Sequence, residues 1–340
     1  MKELLYKYKN GDFNVSLYDD GTKIREWDDN IKNLQSAFPE SIDLKITNKC
    51  DIGCNFCHEN STIDGMQGDL SCEFLDYLPS GMELAIGGGN IFEMAANGLE
   101  SFLVKCKERN IFPNTTINQI HLSRNDCYPV ELPNRNDEED FLTAGGSSLS
   151  GRYTEEKALN ILARWINEEL IYGVGISYNG NADDLDNIIN KLQNLCNTDI
   201  KKNIVIHLIN GVHTYESIEK LFNKRYKALI LGYKDLRRGH EYKKEKDLYL
   251  KKNMEDNYNN IHKIINGFKV LSFDNLAIKQ LDLRRIFLKK EWEEFYMGDD
   301  GTHTMYIDIV DGEYAKSSTN KDRKKILDRI EDMFADVKAS

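Results

Sequence analysis

Cys50, Cys54 and Cys57 stand in the stretch CDIGCNFC, spaced by three residues and then by two, with no fourth cysteine nearby. Seven cysteines in 340 residues, with no small-scaffold spacing, argue against a disulfide framework and for metal ligation or plain packing. Structural zinc asks for four ligands, commonly two CxxC pairs, and the sequence has no second CxxC. His58 is a weak substitute, because it directly follows Cys57 and adjacent residues rarely point at one ion. Three thiolates suit a cubane iron–sulfur cluster in which three irons have protein ligands and the fourth stays open. An open metal position is a reactive one, by the logic that separates catalytic from structural zinc.

The elements that must position these thiols follow one rhythm. Short apolar runs at 42–47, 82–87, 117–123, 172–178, 203–209 and 228–233 read as strands. Between them, stretches such as 155–170 and 182–196 place apolar residues at helical spacing, and the second opens with acids suited to a helix N-terminus. Such alternation means βαβ crossovers and a parallel sheet. The expected fold class is α/β, a partial (β/α)6 TIM-like barrel, since six strands are too few for the closed eight-stranded form. Residues 1–40 are expected to form an N-terminal β-meander extension, 41–240 the core, and 241–340 a C-terminal α+β cap carrying a helix near 283–296 and a hairpin turning at the DG after Val310. The polar 131–151 stretch reads as a surface loop, and the basic 234–252 stretch as a solvated helix face or, less favoured, a polyanion patch.

In its CxxxCxΦC form, with Phe56 at the aromatic position, and in its place after the first core strand, CDIGCNFC resembles the radical S-adenosylmethionine (SAM) superfamily. The resemblance implies that Cys50, Cys54 and Cys57 hold a [4Fe–4S] cluster whose open iron chelates SAM. It implies reductive cleavage to a 5′-deoxyadenosyl radical that abstracts hydrogen from a substrate C–H bond, with a flavodoxin- or ferredoxin-type electron donor as partner. Further stretches are similar to family segments that lie against SAM. IGGGN contributes Gly87, Gly88, Gly89 and Asn90, the last standing where glutamate is commoner. ISYNG contributes Ser177 and Asn179; Asn210 closes strand five, and Gly232 with Tyr233 follows strand six. All of these lie at carboxyl ends of strands, where parallel sheets bind ligands. No catalytic acid or base is assigned.

Composition limits the partners. Forty-five Lys and Arg against 56 Asp and Glu give a net charge of −11, which disfavours nucleic acid and anionic membranes. No apolar run is long enough to span a bilayer, so a cytoplasmic protein is expected. The substrate is read as a peptide or protein over a small metabolite or nucleotide, from the ISYNG stretch. Competing classes are a non-catalytic iron–sulfur electron-transfer or sensor protein and a zinc-dependent binding module. Cys72, Cys106, Cys127 and Cys196 are dispersed and read as packing residues, with Cys127 near a strand end as the one that could meet a radical. The segment 295–308 could present Asp299 or Asp300 to a polar substrate, although a hairpin cap is the simpler reading.

Overall fold

The computed structural model describes residues 3–123 and 155–339; Cys127 and the 131–151 loop lie outside them. Strands β1 (Leu4–Asn10), β2 (Phe13–Tyr18) and β3 (Lys23–Glu26) form the expected antiparallel meander. Among the described residues the main sheet has ten strands: β4 (Ser41–Thr47), β5 (Glu83–Gly88), β6 (Phe112–Asn118), β7 (Gly173–Ser177), β8 (Ile204–Ile209), β9 (Lys227–Leu231), β10 (Val270–Phe273), β11 (Thr304–Asp308), β12 (Glu313–Ala315) and β13 (Lys324–Lys325). Its order is β10-β9-β8-β7-β6-β5-β4-β11-β12-β13, parallel from β10 to β11 and antiparallel beyond.

Three expectations change. The sheet gains two parallel strands beyond the six, β10 beside β9 and β11 beside β4, so the C-terminal residues build sheet as well as cover it. A closed barrel is not expected, and among the described residues none forms: β10 and β13 remain as edges. The third core strand lies at Phe112–Asn118, five residues earlier than its pattern suggested. Pro113 disguised it, because proline argues against a central strand, but it sits at the second position, where one missing N–H costs little. Asn118 then ends the strand: its side chain accepts from the Ile120 N–H at 3.0 Å and starts a 3-10 turn over Gln119–Leu122. The helix expected near 283–296 divides into a short turn, Leu283–Arg285, and a helix, Lys289–Phe295, restarted where the Glu291 carboxylate accepts from the Leu288 N–H at 2.8 Å.

Helices α1 (Glu100–Glu108), α2 (Glu155–Asn167), α3 (Ala182–Leu195) and the short α4 (Tyr215–Glu219) join consecutive strands of the sheet. They bury apolar stripes, such as Leu159, Leu162 and Trp165 of α2, together with the sheet face that carries Ile42, Leu44, Ile86 and Ile176. The alternate residues of the same strands, Asp43, Gly87, Asn118, Ser177 and His207, point to the opposite face, which is polar and open. That face is strongly curled. Lys234, just past β9, reaches Ser318 Oγ, just past β12, at 2.8 Å. In a flat sheet those strands would stand seven spacings, about 34 Å, apart.

Candidate metal and cofactor site

The cysteine loop starts where β4 ends and is pinned from three directions. Its own return stroke supplies the first tie: the Cys50 N–H donates to Thr62 O at 2.8 Å, and the Thr62 N–H donates to Asn48 O at 3.0 Å. The glycine-rich segment after β5 supplies the second. Gly89 N–H donates to Thr47 O and Asn90 N–H to Lys49 O, both at 2.7 Å. A Cβ on Gly88 would lie 2.3 Å from Thr47 O, with φ at +117°, and one on Gly89 would lie 2.2 Å from Lys49 O. These two glycines are therefore required by the close approach of the chain leading into the thiols. Gly87 differs, since a Cβ there would meet nothing within 4 Å.

The third tie comes from the basic segment. Arg237 donates to the carbonyl oxygens of His58 (3.3 Å) and Glu59 (3.1 Å) and pairs with the Glu59 carboxylate at 3.2 Å; Arg238 donates to Ser61 O. Both arginines stand at the start of α5 (Arg238–Asn259), so the front of this segment clamps the cysteine loop. Farther along, Lys243, Lys244 and Lys251 pair with Asp235, Glu241 and Asp247 on the surface, the solvated-face pattern. Beneath the loop, buried Lys45 bridges Asp308 of β11 at 2.7 Å and Glu59 at 3.3 Å. Burial pushes the Glu59 carboxyl up, but His58, Lys45 and Lys234 outweigh it and hold the group below the usual carboxylate range.

Cys50, Cys54 and Cys57 stand outside any disulfide and are of intermediate exposure. Cys57 N–H donates to Cys54 O at 3.1 Å, closing a turn that brings the last two together. The Cys54 thiol is pushed up to about 12, first by burial and then by the charges Cys57 and Cys50 would carry as thiolates. A thiol so raised stays protonated until a cationic centre compensates it, which is the donor chemistry an iron–sulfur cluster requires. The end of β6 supplies two side chains the sequence reading missed. Asn118 Nδ2 donates to Cys54 Sγ at 3.8 Å, and His121 Nε2 lies 4.0 Å from Cys50 Sγ and 3.5 Å from the Asp51 carboxylate. Cys50, Asp51 and His121 place one ligand atom each within 4.8 Å of one another. His58 instead turns to Glu59 and Lys234, at 3.1 Å each, which leaves it poorly disposed as a fourth ligand.

The remaining residues expected from the resemblance have structural partners of their own. Phe56 packs edge-on to Tyr242 of α5, centroids 5.9 Å apart. Asn90 is buried, and its Oδ1 accepts from the Phe92 N–H at 3.1 Å. Ser177 ends β7 opposite His207 of β8. Asn179 is exposed, and its Oδ1 accepts from the Asn181 N–H. Asn210 is buried between Asn257 and Gln280. The N–H of Gly232 donates to Asp274 and that of Tyr233 to Gln280, so those backbone donors are already engaged. The Cβ of a residue at 232 would strike Leu276 at 2.4 Å, so this glycine serves helix packing.

Neither a protein-family model nor a curated protein sequence matches the chain. Among solved structures, the chain is similar in fold to one described as native anSMEcpe with bound AdoMet, at a TM-score of 0.50 and 13% identity, over 87% of this chain and 80% of that one. Structures of native anSMEcpe with AdoMet and the Cp18Cys peptide, or with AdoMet and the Kp18Cys peptide, match at TM-scores of 0.47, with 13% and 12% identity, each over 88% of this chain and 80% of the other. The similarity establishes a mixed α/β fold with a large parallel sheet. Among the described residues no helix is long and apolar enough to cross a membrane.

Proposed function

We propose that this chain is a radical SAM enzyme that binds a [4Fe–4S] cluster through Cys50, Cys54 and Cys57 and acts on a C–H bond of a peptide or protein substrate. The observation that carries the reading is the grouping of three thiols outside any disulfide, in CxxxCxxC spacing, at the carboxyl end of β4 in a fold similar to an AdoMet-bound structure. The cluster, when bound, supplies the electron that cleaves SAM to the radical which abstracts hydrogen. The chain's own residues do the rest. Thr47, Lys49, Gly88 and Gly89 fix the root of the thiol loop, and Arg237 and Arg238 fix its far side. Asn118 and His121 stand against two of the thiols as hydrogen-bond partners. Gly87, with open space before it, leaves room for SAM against the backbone of β5. Preference for a peptide rests on the ISYNG stretch ending β7.

A second reading has one observation in its favour. Cys50, Asp51 and His121 together could hold a single divalent ion. Anaerobic reconstitution with iron and sulfide, followed by metal and sulfide analysis, decides between them. The cluster reading expects about four irons and four sulfides per chain. The mononuclear reading expects one metal and no sulfide, retained by Cys54→Ala.

A further inference from the structure

The polar face of the curled sheet carries a second group of side chains that the thiol site does not use. Asp43 lies in the middle of β4, between β5 and β11, and is exposed although its strand is interior to the sheet. An exposed residue at such a position, with protein on all sides of it, lines a hollow. Its carboxylate makes no hydrogen bond or ion pair with a described residue. His207, on the same face of β8, lies flat over Gly175 of β7; a Cβ at 175 would fall 2.2 Å from Cε1 and 2.4 Å from Nε2. Glycine is thus the residue that lets the imidazole recline into the hollow. His207 Nδ1 is buried, and it has no hydrogen-bond partner among the described residues.

The charges around these two groups do not balance. Lys234 faces both Asp43 and His207, but its ammonium is held by His58 and Ser318. Asp274, just past β10, and Asp300 face Asp43 as well, and Asn275 donates to Asp300 at 2.7 Å. Asp43, Asp274 and Asp300 therefore share one ammonium, whereas Glu59, which also faces Asp43, has Lys45 and Arg237 as partners. An imidazole with an unpaired buried nitrogen, facing the same lysine as an excess of carboxylate, points to a ligand that brings hydrogen-bond donors and positive charge.

We propose that this hollow binds a cationic side chain of the substrate, an ammonium or guanidinium, with Asp43 as its counter-ion and the neutral His207 imidazole as its hydrogen-bond acceptor. Desolvation by the protein around it pushes the Asp43 carboxyl up, with Asp274, Asp300 and Glu59 adding to it and Lys234 opposing, so an arriving cation favours its charged form. Burial, assisted by Lys234, lowers His207 to about 4 and keeps it neutral near pH 7. The proposal deepens the SAM-enzyme reading by naming a substrate class, and it rests on that reading only for the second ligand of the cleft.

The test is calorimetric titration of the reconstituted, unreduced protein, with and without SAM, using acetyl-Gly-Lys-Gly-amide, its Arg counterpart, and the Gln and Glu peptides as controls. The Lys or Arg peptide is expected to bind at least tenfold more tightly than the Gln peptide, and the Glu peptide most weakly. Asp43→Asn and His207→Phe are each expected to weaken the cationic peptide at least tenfold and to leave SAM affinity within twofold. Equal binding of Lys and Gln peptides, or a cationic preference that survives both substitutions, would overturn the proposal. So would a tenfold loss of SAM affinity in these variants, which would assign the hollow to SAM. Failure of the unsubstituted protein to bind SAM, with the cationic preference intact, would count against the enzyme reading and leave this site standing.

Discussion

Asn118, the last residue of β6, donates its side-chain amide to the sulfur of Cys54 at 3.8 Å, linking the third core strand to the thiol loop of the first. A hydrogen bond to a cluster thiolate stabilises the more negative, reduced state. Asn118→Leu is therefore expected to move the cluster's reduction potential to more negative values, on the order of 20–50 mV, the equivalent of about 0.5–1 kcal/mol for a one-electron couple. Potentiometric titration followed by electron paramagnetic resonance reads this directly. An unchanged potential at unchanged iron content would remove Asn118 from the cluster's surroundings.

Arg238 ties Ser61 to the start of α5, and Arg237 ties His58 and Glu59. Replacing both by alanine should free the loop's far side while leaving the sheet intact. Faster hydrogen exchange at the Cys50 and Thr62 amides, together with lower iron uptake, is the expected result. Exchange that stays as slow as in the unsubstituted protein would show that the return stroke alone holds the loop.

Gly88→Ala places a Cβ 2.3 Å from a backbone oxygen at a positive φ. The expected cost is roughly 1–3 kcal/mol in urea unfolding, the usual scale for a side chain forced into such a conformation. Gly87→Ala, which meets open space, should unfold within about 0.5 kcal/mol of the unsubstituted protein, as tolerated surface changes do, yet weaken SAM binding. A reversal of that order in urea would contradict the assigned roles of the two glycines.

His303 is lowered to about 4 by burial and by Arg25, against the opposing Glu40 charge, with Lys23 and Lys338 also lowering it. A depressed histidine takes up fewer protons folded than unfolded between pH 6.5 and about 4. Stability should therefore be lost as pH falls through that window and level off below it. The contribution is roughly 3 kcal/mol for a shift of this size. His303→Gln, which keeps a hydrogen-bonding side chain near Ser36, should show a correspondingly shallower pH dependence. Equal slopes for the two proteins would show that His303 titrates as it does in the unfolded chain.

The residues legible in the sequence were those whose meaning is local. The spacing of Cys50, Cys54 and Cys57 sets three thiols on one loop after β4 wherever the rest of the chain runs, and the meander turns and most strands announce themselves through alternation and glycine. What stayed hidden depends on registers and on distant segments. Pro113 displaced the third strand in the reading, so Asn118 and His121 were not placed beside the thiols. Arg237 and Arg238 were absorbed into a charged helix face, because nothing in a basic run tells which members turn inward. Asp43 and His207 passed as ordinary strand residues, since only the curl that brings Lys234 to Ser318 makes their face a hollow. The glycines at 88 and 89 were found for a ligand and serve first a backbone crossing.

Cys72, Cys106 and Cys196 are free thiols on separate elements, packed in or against the core. Replacing the three together by alanine should leave iron at about four per chain, with stability lower by about 1 kcal/mol per buried site. Iron that starts near eight and falls to four on their removal would establish a second cluster.

The most direct measurement is production of 5′-deoxyadenosine. The protein is reconstituted anaerobically with iron and sulfide, given SAM and dithionite, and the nucleoside is quantified by chromatography beside Cys54→Ala treated identically. The expected result is 5′-deoxyadenosine from the unsubstituted protein and none above background from the variant. A fully loaded four-iron protein that leaves SAM intact, or a Cys54→Ala variant that cleaves it as well, would contradict the assignment of these three thiols to a radical SAM centre.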